Sequence, residues 1–213
     1  MPILSNRAVV AAKIEAVEGT AESLAGTDAN FVVMEPKFEA DISLFERQNL
    51  DVSLSAFASI TGTRQASLSF KVELRGSGTA GTAPALGKLL KACGMGETIV
   101  AGTSVTYAPI STSIPSVTIA LYRDGVKKQI RGARGSVKYS GKDGEPGMLE
   151  FTFQGVYDGV SDVSLLTGSG IETTLPPALL SAVFSVQGFA AKIASHLSVA
   201  RNESGAGRHA VRQ

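Results

Sequence analysis

Between Ala66 and Arg75 every second residue is apolar: Ala66, Leu68, Phe70, Val72 and Leu74 alternate with Ser67, Ser69, Lys71, Glu73 and Arg75. A period of two puts the first set on one face of a strand and the second on the other, so this strand belongs to a sheet with one wet face. The alternation recurs at Val117, Ile119 and Leu121, and at Leu149, Phe151 and Phe153 among Glu150, Thr152 and Gln154. Arg123-Asp124-Gly125 predicts a tight turn with a return strand from Val126. On that strand Val126 and Ile130 set one parity and Ala133, Val137 and Tyr139 the other; the change falls at Gly132 and predicts a bulge. Lys127, Gln129 and Arg131 then stay on one face with Arg134, Ser136 and Lys138. Thr98–Val100 and Val105–Tyr107 flank a glycine turn, and residues 98–157 are expected to form one antiparallel meander.

Further strands are expected at Ala8–Ile14 and from Phe31 through Pro36 to Glu39, where the proline marks an edge or a break. The clearest helix lies at about 83–93, with Thr82 as cap, Pro84 in the first turn, Gly94 as stop, and Leu86, Leu89, Leu90 and Cys93 on one stripe. Residues 40–62 show no clean period yet carry Ile42, Leu44, Phe45, Leu50, Leu54 and Phe57, and are expected to be a long excursion that buries them elsewhere. Short strands are expected at Val183–Phe189 and Ile193–Val199. Two such strands need other strands to pair with, in the first sheet, a neighbouring chain or further sequence. The expected fold is therefore mainly β, an antiparallel β-sandwich or barrel with one flanking helix. Residues 1–160 form its main domain, 161–178 a linker, and 179–213 C-terminal strands and a tail, as the start of a second unit or an inter-subunit arm.

Gly76, Gly78 and Gly81 spell G-x-G-x-x-G, with Glu97 near the place of a ribose-binding acid. The strand before them argues for a plain glycine-rich turn, because the first strand of a dinucleotide-binding sheet is covered on both faces and is apolar nearly throughout. His196 and His209 have no metal-ligand or triad spacing around them, so no catalytic, metal or cofactor site is expected. Cys93, the single cysteine, sits on the apolar helix stripe as a structural thiol. The N-terminus lacks the pattern of a secretion signal, and no apolar run approaches the ~18 residues of a membrane span. A soluble protein made or assembled inside a cell is expected.

The net charge of +1 hides an uneven distribution. Arg123, Lys127, Lys128, Arg131, Arg134, Lys138 and Lys142 face only Asp124 in their segment, whereas Glu35, Glu39, Asp41, Glu46 and Asp51 face Lys37 and Arg47 in theirs. Ordinary polar sheet faces account for this pattern, and so does self-assembly in which one subunit's acidic segment meets the next one's basic face. Nucleic-acid binding by the basic hairpin lacks an aromatic platform.

Taken in order, Ile14–Asp28 (IEAVEGTAESLAGTD), Leu68–Gly94, Val105–Pro109 (VTYAP) and Ser116–Tyr157, with SVTIALYRDGV, RGARGSV and MLEFTFQGVYD, resemble the major tail tube proteins of long-tailed bacteriophages and related phage-tail-like particles. The resemblance implies a structural virion protein, not an enzyme, in the tail, assembled in the bacterial host cytoplasm. Its partners would be itself, in hexameric or pseudo-hexameric rings stacked into a tube, other tail proteins, and double-stranded DNA passing through the lumen without specific binding. It further implies that Lys37, Glu39, Lys71 and Glu73 line the lumen. Ile42, Leu44, Phe45, Leu50, Leu54 and Phe57 would belong to an inter-ring loop, and Lys127, Arg131, Arg134 and Lys138 would face a neighbouring subunit. A tail completion or neck protein of the same fold is the alternative, and a nucleotide-binding enzyme using Gly76–Gly81 a more remote one. Relatives continue past the segment resembling Ala182–Gln213 into what looks like a second tube-like unit, which leaves hexamers and trimers of duplicated subunits both open.

Overall fold

The computed structural model describes residues 7–47, 58–142, 144–178, 184–186, 189–191 and 197–200. In chain order the body consists of β1 (Ala8–Ile14), β2 (Met34–Phe45), β3 (Ile60–Glu73), α1 (Gly87–Ala92), β4 (Met95–Val100), β5 (Ser104–Pro109), β6 (Val117–Arg123), β7 (Val126–Gly141) and β8 (Met148–Asp162). The main sheet runs β1-β6-β7-β8-β3-β2 in space, antiparallel throughout. The fold is mainly β with one flanking helix, as the alternation requires. β9 (Phe184–Val186) and β10 (Phe189–Ala191) pair with each other, and β11 (Leu197–Ala200) pairs with Lys138–Gly141 of β7.

One face of the sheet carries the core. Leu68, Phe70 and Val72 of β3 meet Leu149, Phe151 and Phe153 of β8, Ile130, Ala133 and Val137 of β7, and Val10 and Ala12 of β1 in one cluster with Leu86, Leu89, Ala92 and Cys93. The rings of Phe70, Phe151 and Phe153 lie 5.7–6.1 Å apart, and Phe31 stacks on Phe70 at 6.3 Å. Each fully buried ring contributes roughly 1.5–3 kcal/mol. On the other face, a smaller cluster of Ala11, Ala29, Ala120 and Tyr122 is covered by Leu24, Leu165 and Leu166. β6 is thus buried on both faces, although its sequence alternates on one parity only.

Several expectations need correction. The helix is six residues long, not eleven, and Thr82 does not cap it: the Thr82 amide donates to Thr79 within the preceding loop. The Glu172 carboxylate, from far along the chain, accepts from the Ala85 N–H at 2.8 Å and stabilises the positive end of the short helix. β4 and β5 form their own two-stranded sheet, so the meander of the main sheet is β6-β7-β8. Residues 40–45 and 60–62 are not excursion but strand, because β2 and β3 continue as a two-stranded ribbon past the point where β3 stops pairing with β8. Leu50, Leu54 and Phe57 lie outside the described residues. β8 also continues to Asp162, into the stretch expected as linker, and beyond it Ser169 N–H donates to Gly26 O. Pro36 falls, as its chemistry demands, on the terminal strand at a register shift.

The bulge at Gly132 is present, with φ +61° and a register break between Arg131 and Arg134. Its N–H donates to Glu15 Oε1 at 2.7 Å. The same carboxylate accepts from Gly19 N–H at 2.8 Å, Ser116 Oγ at 2.6 Å and Thr118 Oγ1 at 2.8 Å. Glu15 therefore ties the end of β1, the following loop, the start of β6 and the β7 bulge to one buried anion. Burial alone pushes its carboxyl up, but the donors from Ser116, Gly132, Gly19 and Thr118 outweigh that and hold it below the usual carboxylate range. Because the folded value is depressed, the stability it contributes is present above the unfolded carboxylate range and is lost as pH falls through the folded value. We expect Glu15→Ala to destabilise the subunit by about 3 kcal/mol in urea denaturation at neutral pH, leaving several buried donors unpaired. The deficit should shrink under acid; one that does not change with pH would contradict the role of the anion.

Candidate functional site

The second face of β2, β3, β8 and β7 is open and polar. Register places its side chains in rows across the strands: Glu39, Ser67, Gln154 and Arg134 in one, Lys37, Ser69, Thr152 and Ser136 in the next, then Lys71, Glu150 and Lys138. The cations meet anions on the same surface. Lys37 Nζ lies 2.6 Å from Glu39, Lys71 Nζ lies 2.6 Å from Glu35, and Arg75 pairs with Glu73. The hydrogen bonds that Lys37 and Lys71 donate to Glu39 and Glu35 raise their ammonium groups above the ordinary lysine value, so both stay charged at neutral pH. The result is a surface rich in hydroxyls and ions that is locally neutral. The four lumen candidates Lys37, Glu39, Lys71 and Glu73 all fall on it.

The four interface candidates do not form one patch. Arg134 and Lys138 share rows with the lumen candidates. Arg134 is turned to Glu18 Oε1 at 2.7 Å and to the Ile114 carbonyl at 3.1 Å. Arg131 donates to the Gly19 carbonyl at 3.2 Å and sits 3.4 Å from Asp158. Both arginines thus clamp the loop that Glu15 anchors. Lys127 lies at the far end of β7, opposite Tyr122 and Ser161.

The inter-ring candidates Ile42, Leu44 and Phe45 stand on β2 of the protruding ribbon, and all three are exposed. Phe45 pairs with Ile60 and folds its ring over Gly62, where a Cβ would lie 2.4 Å from the ring edge.

The glycine-rich loop is not shaped as a phosphate cradle. The helix that follows is one and a half turns long, and the N–H at its entrance is already taken by the anion of Glu172. Glu97, the would-be ribose ligand, accepts from Tyr107 Oη at 2.6 Å and Lys91 Nζ at 3.0 Å and fastens the β4–β5 hairpin to α1. Lys88 is bent over the Phe31 ring and donates to the Asp28 carbonyl at 2.8 Å; burial lowers its ammonium to about 8. Sequence patterning missed Glu15 and Glu172 because their partners Ser116, Thr118, Gly132 and Ala85 are brought near only by the folded topology; for Glu97 it offered a ribose ligand in place of a hairpin fastener. Among the described residues no cluster of metal-ligating side chains occurs, and no helix is long and apolar enough to cross a membrane.

The sheet thus offers an open, charge-balanced face, a terminal strand β2 with no outer partner among the described residues, and an exposed apolar ribbon. The chain belongs to the phage tail tube protein family, whose profile matches residues 5–198. Its role is that of a structural tail tube component. Tube proteins of this kind assemble with themselves and with other tail components. Two solved structures are similar to it: the anti-feeding prophage tube-terminating cap, at 9% identity and a TM-score of 0.42 over 76% of this chain and 93% of that one, and a chain of the anti-feeding prophage baseplate, at 11% identity and a TM-score of 0.35 over 78% and 97%. At these levels neither carries an inference about this chain. No curated protein matches.

Because the Lys37–Glu39 pair is solvent-exposed, it adds little to folding. Replacing Lys37 and Glu39 together by alanine is expected to leave the urea midpoint of the isolated subunit unchanged. A clear loss would make this pair part of the fold's support and remove it from the set of free surface groups.

Proposed function

We propose that the chain is the repeating subunit of a phage tail tube, in which the open face of β2, β3, β8 and β7 lines the bore. The observation that carries this reading is the charge balance of that face. A duplex sliding past it meets hydroxyls and paired ions, with few cations free to neutralise phosphates and hold it back. Lys37, Glu39, Lys71 and Glu73 are its bore-lining ions. Rings are closed by joining the terminal strand β2 of one copy to the next copy's sheet, which removes an exposed edge. β2 brings the acidic side chains Glu35, Glu39 and Asp41 to that joint, and the basic residues Lys127, Arg131, Arg134 and Lys138 of β7 are the candidates for facing a neighbouring subunit. Six subunits, or three duplicated ones, complete each ring.

The β2–β3 ribbon, with Ile42, Leu44 and Phe45, reaches the adjoining ring, and Leu50, Leu54 and Phe57 belong to the same connection. Assembled in the host cytoplasm and carried in the virion tail, the tube conducts double-stranded DNA without chemistry of its own. Negative-stain microscopy of the purified chain over a range of concentrations is expected to show hollow tubes or stacked rings. Monodisperse small particles at every concentration would contradict the proposal, and single closed rings would point to a completion or neck protein. Deleting residues 42–58 is expected to leave folded subunits that cannot stack; normal tubes from that deletion would overturn the role of the ribbon.

A further inference from the structure

The described end of the β2–β3 ribbon, at Leu44, Phe45 and Ile60, and the Gly76–Gly81 loop lie at opposite ends of β3. β3 begins at Ile60 and runs into Leu74, Arg75 and the loop, so at about 3.3 Å per residue its length separates them by roughly 45 Å. At the first pole Leu44, Phe45 and Ile60 are 64%, 62% and 56% exposed. Among the described residues this apolar patch is left open. At the second pole lies an open cleft of about 440 Å³, between the glycine loop on one side and Thr103–Val105 of the β4–β5 hairpin on the other, with Leu74 and Pro177 among its lining. Arg75 in its wall is already bound by Glu73 and the Glu172 carbonyl. Ile99 and Val100, on the same hairpin, are half exposed.

Gly81 holds the cleft together. Its φ is +71°, and a Cβ there would sit 2.3 Å from Gly102 N and 2.6 Å from Val100 O, so only glycine lets the loop lie against the hairpin tip.

We propose that this cleft is the seat for the apolar side chains Leu44 and Phe45 on the ribbon of a second copy in the adjoining ring, which enter between the glycine loop and the β4–β5 hairpin. The inference rests on the tube reading above. A second copy is the occupant because proteins of this family assemble with themselves. The ion-covered sheet face would desolvate its charges to admit these apolar side chains, whereas the cleft presents methyl, ring and hydroxyl groups. Donor and seat at opposite ends of one strand make the contact heterologous, so it repeats from ring to ring without closing. Contact between two ribbons would instead end in a dimer. The glycine motif thus acts in stacking, as the wall of a socket.

Two single-site variants, Phe45→Cys and Ala80→Cys, test this when mixed, assembled and oxidised. The native Cys93 is buried, its thiol pushed up to about 12, and does not compete. The expected result is a disulfide-linked dimer of the two variants, found only in the mixture and only in material that sediments as tubes. Tubes without this species, or with Phe45→Cys linked to itself, would overturn the seat while leaving the tube reading intact. Absence of tubes from the unmodified chain would remove the tube reading and the seat together. As a second arm, Ala80→Arg is expected to leave subunit melting unchanged and abolish stacking, and Phe45→Glu in the same chain to restore it. Unimpaired tubes from Ala80→Arg, or no restoration by the pair, would likewise overturn the seat.

Discussion

Along β3 and β8 the requirement that alternate side chains meet different surroundings fixes every register in the sheet. A slip of one residue would carry Lys71 and Glu150 into the cluster of Phe70, Phe151 and Phe153 and turn the rings to water. The cost of burying those charges exceeds anything the loops supply, so the loops adapt to the sheet. The Gly132 bulge is one such adaptation. It lets β7 exchange parity while both halves keep apolar residues inward, Ile130 on one side and Ala133 and Val137 on the other.

Around that constraint, buried or partly buried carboxylates hold the connections. Glu15 gathers four donors from the end of β1, the loop after it, β6 and the bulge. Glu97 fastens the β4–β5 hairpin to the helix, and Glu172 holds the helix entrance from the segment after β8. The apolar core supplies the bulk of stability, and these anions decide where the segments outside the sheet are laid. Arg131 and Arg134 add to this by pinning the loop at 18–19, which leaves the rows from Lys37 to Lys138 open.

Much of this was legible from residue order. The alternation in β3, β6, β7 and β8, the Asp124-Gly125 turn and the bulge follow from period two and from turn chemistry. Thr82 and Pro84 resemble a start signal and so predict too long a helix, whereas the true entrance is held by Glu172, distant in sequence. Residues 40–45 and 60–62 looked irregular because a ribbon wet on both faces has no reason to alternate. Both faces of β6 are buried because Leu24, Leu165 and Leu166 fold over it, which no local window contains. For the candidate site, parity puts Lys71 and Glu73 on a polar face, while the lumen role of Lys37, Glu39, Lys71 and Glu73 is what the family resemblance implies. That Arg134 and Lys138 share this face depended on strand order, which a single sequence does not state.

The central claim is that this open face turns toward a narrow bore. A thiol placed at Ser69, in the middle row of the face, tests it most directly when probed with a small maleimide and with a bulky polymer-linked one. In isolated subunits both reagents should react. In assembled tubes the small reagent should still react and the bulky one should be excluded along the length of the tube. Equal reaction with the bulky reagent in intact tubes would place the face outside, and the account would fail.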